Sequence, residues 1–146
     1  MAAPVFAVDT SCMVAAVCSW HEHHDEAAAA IEDRLDAGER LAVPAHALAE
    51  SYAVLTRLPS PHRLAPADAW ALLEANFIAN RTVTALTSRE YVSVVRALAA
   101  AGVAGGRTYD ALIAESARRA RATTLLTFNP RHFDPSPAGV TIVVPG

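Results

Sequence analysis

Short apolar runs alternate with longer helical ones along almost the whole chain, and this alternation restricts the fold more than any other feature. Val5 to Val8, Leu41 to Pro44, Thr82 to Leu86, Thr123 to Phe128 and Val140 to Val144 are apolar or β-branched and read as strands. Between them, Ser11 to Trp20, Asp25 to Ala37, Ala47 to Arg57, Pro66 to about Ala79, Ser88 to about Ala101 and Tyr109 to Arg121 read as helices. Gly38 and Gly102 stand at helix stops, Pro66 suits a first helical turn, and Ser88 is a candidate N-cap. Strands this short, separated by helices, imply an α/β chain with a three-layer α/β/α architecture and a central parallel sheet of four to five strands. Ligands bind such sheets beyond the carboxyl ends of the strands. A first strand with a neighbour on each side would put Asp9 at the switch point.

Composition narrows the chemistry. At 146 residues, 53% of them hydrophobic, the chain suits one domain spanning 1–146 with a sizeable core. A net charge of −3 argues against a passive basic nucleic-acid binder. It leaves room for an enzyme that meets nucleic acid through a metal and a local basic patch. All 12 basic residues are arginine. Without lysine there is no P-loop and no Schiff base, and the lysine-using receiver and haloacid-dehalogenase-type aspartate pockets are excluded. Cys12 and Cys18 have neither CxxC nor one-face helical spacing, so they read as buried free thiols, which suits the cytoplasm. No apolar run is long enough to span a membrane.

Three acids stand just past apolar runs or open apolar helices, in like positions on successive α/β units. They are Asp9 in Val-Asp-Thr-Ser, Glu50 in Ala-Leu-Ala-Glu-Ser and Asp110 in Thr-Tyr-Asp-Ala-Leu-Ile-Ala. Leu125-Leu126-Thr127-Phe128-Asn129 ends similarly with an amide. Each acid has an ordinary explanation: Asp9 as a helix N-cap, Glu50 on a solvated helix face, Asp110 favoured by a helix dipole. Their joint pattern points instead to converging carboxylates, which form a hard-cation site suited to phosphodiester hydrolysis.

The stretches Val8-Asp9-Thr10-Ser11, Leu48-Ala49-Glu50, Tyr109-Asp110-Ala111-Leu112-Ile113-Ala114 and Leu126-Thr127-Phe128-Asn129 resemble, in order and spacing, the four acidic motifs of PIN-domain nucleases. The resemblance is strongest to the VapC toxins of bacterial VapBC toxin–antitoxin pairs. The Gly105-Gly106-Arg107 lead into Asp110 and the Trp20-His21-Glu22-His23-His24 stretch are similar to mycobacterial-type members. The resemblance implies an Mg²⁺- or Mn²⁺-dependent endoribonuclease in which Asp9, Glu50 and Asp110 hold the metal and catalyse. Asn129 stands where the fourth acid often does, as a weaker ligand. It also implies an RNA substrate, inhibition by a VapB-like antitoxin and a homodimer. With three acids the pocket holds about −3, so one divalent ion leaves about −1 and a second is poorly supported. Asp134 follows Phe133 and does not match the motif. Thr10 and Ser11 would orient water or phosphate, or simply cap a helix, and Arg107 would touch RNA phosphate or the antitoxin. The alternative function is a catalytically weak PIN-fold module that binds RNA or a partner, favoured by the missing fourth acid.

The remaining features have plainer readings. His21, His23 and His24 do not form HExxH, because its second histidine would fall at Asp25; they read as a solvated helix entry or as a rim for RNA or antitoxin. Arg118, Arg119 and Arg121 read as cations at a helix C-terminus. Trp20 and Trp70 are expected in the core or an interface. The helices at Asp25–Ala37 and Ala47–Arg57 are expected to expose apolar surface for partners.

Overall fold

Unbroken apolar sequence makes the middle of the sheet. Phe6, Ala7 and Val8 of strand β1 (Val5–Val8) are fully buried because the strand has a neighbour on each side. The computed structural model, which describes residues 2–146, contains a five-stranded sheet in the order β3-β2-β1-β4-β5. The other strands are β2 (Arg40–Pro44), β3 (Thr82–Thr84), β4 (Thr124–Leu126) and β5 (Thr141–Val143). All four pairings are parallel, with Ala7 opposite Ala42 on one side and Leu125 on the other.

Six α-helices flank this sheet: α1 (Thr10–Val17), α2 (His24–Asp36), α3 (Ala45–Leu55), α4 (Pro66–Leu73), α5 (Ser88–Ala101) and α6 (Arg107–Arg119). The chain leaves β1 towards β2 and β3, then returns through α5 and α6 to pair β4 with the other edge of β1. That reversal is the topological switch point, and Asp9 lies just beyond β1 there, as expected.

Several local expectations need correction. Helix α1 stops at Val17, and Trp20 lies in the turn that follows. The α-helix begun by Pro66 ends at Leu73 and continues as a π-helical turn over Glu74–Ile78. The N-cap of α5 is Thr87 rather than Ser88. Its hydroxyl accepts from the Glu90 N–H at 3.2 Å while the Glu90 carboxylate accepts from the Thr87 N–H at 2.9 Å. The reciprocal pair satisfies two end donors, which Ser88 one step later cannot do. Helix α6 begins at Arg107 rather than Tyr109, and Asp110 stands within its first turn, as expected.

Neither tryptophan joins the core, since Trp20 is 46% and Trp70 49% exposed. Helix α2 does not supply exposed apolar surface, because its open face carries Asp25, Glu26, Glu32, Asp33 and Asp36, whereas α3 exposes Tyr52. Helix α5 carries more of it. It has no buried residue, and Tyr91, Val92 and Val95 are all exposed. Cys12 and Cys18 are buried free thiols, and burial raises the pKa of both. No helix among the described residues is long and apolar enough to cross a membrane.

Candidate active site

The carboxyl ends of β1, β2 and β4 open onto one pocket of about 810 Å³. Asp9, Glu50, Asp110 and Asn129 all line it, together with Thr10, Ser11 and Arg107. Residues separated by most of the chain are therefore brought to one place. Asp134 is not among the lining residues.

Asp9 is held the most tightly. It lies in extended backbone after β1 and its N–H donates to the Leu126 carbonyl at 3.1 Å, extending the β1–β4 pairing by one step. Oδ1 accepts from the Ser11 hydroxyl at 2.7 Å and the Cys12 N–H at 3.0 Å, and Oδ2 accepts from the Thr127 hydroxyl at 2.5 Å. The ordinary N-cap reading is thus correct, and Asp9 lines the pocket as well. Burial raises its pKa, while the bonds from Ser11, Thr127 and Cys12 oppose that rise. Of roughly four carboxylate lone pairs, three are taken, which leaves one on Oδ2.

Thr127 and Ser11 form a frame around this acid. Thr127 is fully buried, and its hydroxyl oxygen also accepts from the Asn129 N–H at 2.8 Å. The Ser11 hydroxyl accepts from the Phe128 N–H at 3.0 Å. Each hydroxyl therefore ties the start of α1 to the segment after β4 while donating to Asp9. Sequence reading placed Ser11 as a candidate but did not give Thr127 a role. The available signal was a hydroxyl residue directly after the apolar pair Leu125-Leu126.

Glu50 sits on α3, and its Oε1 accepts a short hydrogen bond from the Thr10 hydroxyl. Asp110, on α6, has its Oδ2 3.3 Å from His132 Nδ1 in the 3₁₀ turn Pro130–Phe133. Burial raises the Asp110 pKa; His132 opposes the rise, Asp9 and Glu50 add to it, and Arg107 opposes it. His132 was missed because β4 separates it from Asp110 in sequence, and the packing of its 3₁₀ turn on α6 brings them together. Among the described residues, no three acidic, imidazole or thiol groups already close around one ion. The donor chemistry nevertheless fits a hard cation: every acid keeps an uncommitted oxygen lone pair, the donors are oxygens, and the acids repel one another.

Rings border the pocket. His23 stacks on Phe128 with centroids 4.6 Å apart, and Tyr109 stacks on His46 at 4.8 Å. Arg118 pairs with Glu115 at 2.5 Å, and Arg119 pairs with Glu90 of α5. Arg119 therefore serves the α5–α6 surface as well as the helix end, while Arg118 pairs within α6.

The parallel sheet, with its acids gathered at the switch point, defines a PIN-type fold. A family model described as PIN domain matches residues 6–135, and the chain belongs to that family. Within the family its sequence follows the VapC ribonucleases. It is 42% identical over 121 residues to ribonuclease VapC40 of Mycobacterium tuberculosis, covering 83% of this chain and 84% of that protein. It is 41% identical over 119 residues to ribonuclease VapC27 of the same species, covering 82% and 81%. The fold matches VapBC2 of Rickettsia felis, solved bound to a promoter DNA fragment, with a TM-score of 0.68 at 20% identity, covering 96% of this chain and 98% of that one. It also matches M. tuberculosis VapC20, a Sarcin-Ricin loop cleaving toxin, with a TM-score of 0.68 at 18% identity, covering 92% and 98%.

Proposed function

We propose that this VapC homologue is the toxin of a VapBC-type pair, a metal-dependent endoribonuclease that hydrolyses RNA phosphodiester bonds. The observation that carries the reading is the convergence of Asp9, Glu50 and Asp110 on one pocket. In it, Asp9 and Glu50 both raise the Asp110 pKa. These acids would hold Mg²⁺ or Mn²⁺, with Asn129 as a neutral oxygen donor, directly or through water. When bound, the ion supplies an activated water and polarises the phosphate.

The chain's own residues do the rest. Thr127, Ser11 and the Cys12 N–H fix Asp9 so that one lone pair faces the pocket. Thr10 holds one Glu50 oxygen and leaves the other free to orient a water or accept its proton. His132, with Nδ1 3.3 Å from Asp110 Oδ2, is placed to orient that carboxylate. Arg107, at the head of α6, is placed for a phosphate oxygen. No Ser or Cys nucleophile is required, and Cys12, its thiol pKa raised by burial, is unsuited to be one.

Solved relatives include VapBC complexes from Haemophilus influenzae and M. tuberculosis, which supports a VapB-like antitoxin as partner. A cation from that partner placed among the acids would block the site. The homodimer implied by the resemblance would use the open face of α5, at Tyr91, Val92 and Val95. Asn129 favours a second reading, a PIN-fold module that binds RNA or its partner with little turnover.

One experiment separates the two readings. Purified protein is incubated with cellular RNA in Mg²⁺, Mn²⁺ or EDTA, beside Asp9→Asn. Cutting that needs both metal and Asp9 supports the nuclease; intact RNA under every condition supports the binding module.

A further inference from the structure

Asp134 lies outside the acidic pocket, but it lines a second one. This cavity of about 340 Å³ opens between α5, α6 and the segment after the 3₁₀ turn. Val94, Ala97, Leu98 and Ala101 form its α5 wall, at helical spacing and on a different side of the helix from Val92 and Val95. Ala111 and Ala114 form the α6 wall, and the buried ring of Phe133 lies beside Pro135 at the end. Val94 and Leu98 are only half-buried although they face α6, because the groove between the two helices is open there.

The two pockets share Arg107, Asp110 and His132. A phosphodiester held at Asp110 therefore has its neighbouring nucleoside at the mouth of the second pocket. The volume is at the small end for ligand sites, which suits one flat heterocycle better than a length of peptide. A base seated there would cover Val94, Leu98 and Val103, apolar surface that is now partly open. Two carboxylates border the cavity, and only one is available. Glu115 is occupied, its oxygens accepting from Arg118 Nε at 3.1 and 3.0 Å. Asp134 is exposed and makes no ion pair among the described residues. An ionised carboxylate accepts hydrogen bonds and cannot donate them. It therefore suits adenine, cytosine or guanine, whose exocyclic amines donate. Uracil has no such amine, and its N–H stands between two carbonyl oxygens that a carboxylate repels.

We infer that this second cavity is a base-reading subsite of the same active centre: it seats the nucleobase next to the scissile phosphate, and Asp134 selects an amine-bearing base over uracil. The inference rests on the RNA-hydrolase reading and adds a sequence preference to it. Apolar walls supply affinity for any base, so the discrimination comes from the one polar group. A site built to receive a donor rejects an analogue that lacks it, because its acceptor is left facing another acceptor.

The test presents a pool of short random-sequence RNA to the full-length chain in Mn²⁺ and sequences the cut ends. A second arm sequences the RNA retained by the chain carrying Asp9→Asn, which requires no cutting. Uracil is expected to be depleted about tenfold at one fixed position beside the cut, and to be depleted in the retained RNA. Asp134→Asn, whose amide both donates and accepts, is expected to admit uracil at that position while total cutting is kept. Ala97 is exposed on α5, so Ala97→Trp fills the cavity from outside the core. It is expected to erase the preference and raise KM, with base frequencies at the other positions unchanged. Both variants keeping the parent's base preference would overturn the inference, as would a parent with no preference beside the cut. So would an effect of Ala97→Trp on antitoxin binding alone, which would make the groove a protein contact. Failure of the two readings is distinguishable. Absence of cutting by the unmodified chain, with Asp134-dependent retention intact, sinks the nuclease alone. Cutting whose base preference is indifferent to Asp134→Asn sinks the subsite alone.

Discussion

Asp9 caps α1 through Oδ1 and keeps a lone pair of Oδ2 for the pocket, so one side chain serves both the fold and the site. The Thr127 hydroxyl underlies that arrangement. Thr127→Val keeps the shape but removes a donor to a buried carboxylate and an acceptor for the Asn129 N–H. A loss of about 1.5–3 kcal/mol in urea unfolding is expected, together with weaker cleavage; a loss below about 0.5 kcal/mol would mean water replaces the hydroxyl. The pH dependence follows from Asp9 and Asp110, both raised above the ordinary 3.8, chiefly by burial. A raised folded pKa means the folded state binds these protons more tightly. In metal-free buffer the stabilisation is full below the ordinary value and is lost as pH rises through the raised folded values. Asp9→Asn is expected to flatten that slope in thermal unfolding with EDTA, and an unaltered slope would contradict the account. Residue identities were the most legible layer of the sequence: Asp9 and Glu50 could be found because each follows an apolar run, and Asp110 because it opens an apolar helix. His132 and Thr127 could not, since a histidine in a turn and a threonine ending a strand acquire their roles only from neighbours in space.

At the scale of elements, legibility followed burial. Strand β1 matched its expected range because every residue of that apolar run is needed to fill the sheet centre. Helix α1 ran short because Cys18, whose N–H still bonds the Val14 carbonyl, turns to extended backbone and Ser19 and Trp20 form a turn. Helix α5 misled in another way: its apolar residues have helical spacing, yet they lie open rather than against the core. Its ends are correspondingly important. The Thr87 and Glu90 capping box lowers the Glu90 pKa, first through the backbone bond from Thr87. That contribution is present above the ordinary glutamate value and is lost as pH falls through the lowered one. Thr87→Ala is expected to cost about 1 kcal/mol, read as faster amide exchange confined to α5. Unchanged exchange in α5 would show that contacts with α6 alone hold the helix.

For the molecule as a whole, the open α5 face and the acidic pocket are separate demands on one small domain. If α5 seats a second copy, Val92→Glu with Val95→Glu would convert a dimer to a monomer in sedimentation, with the melting temperature of each protomer little changed. A dimer that survives both substitutions would place the interface elsewhere. The pocket makes the central claim: three carboxylates from distant parts of the chain act as one divalent-cation site that hydrolyses RNA. Calorimetric titration of Mn²⁺ into the metal-free protein, beside Asp9→Asn and Asp110→Asn, tests it most directly. The account predicts one saturable ion and a loss of more than about tenfold in affinity for each variant, with RNA cutting lost in parallel. Affinity unchanged in either variant, or cutting that persists after metal binding is lost, would contradict it.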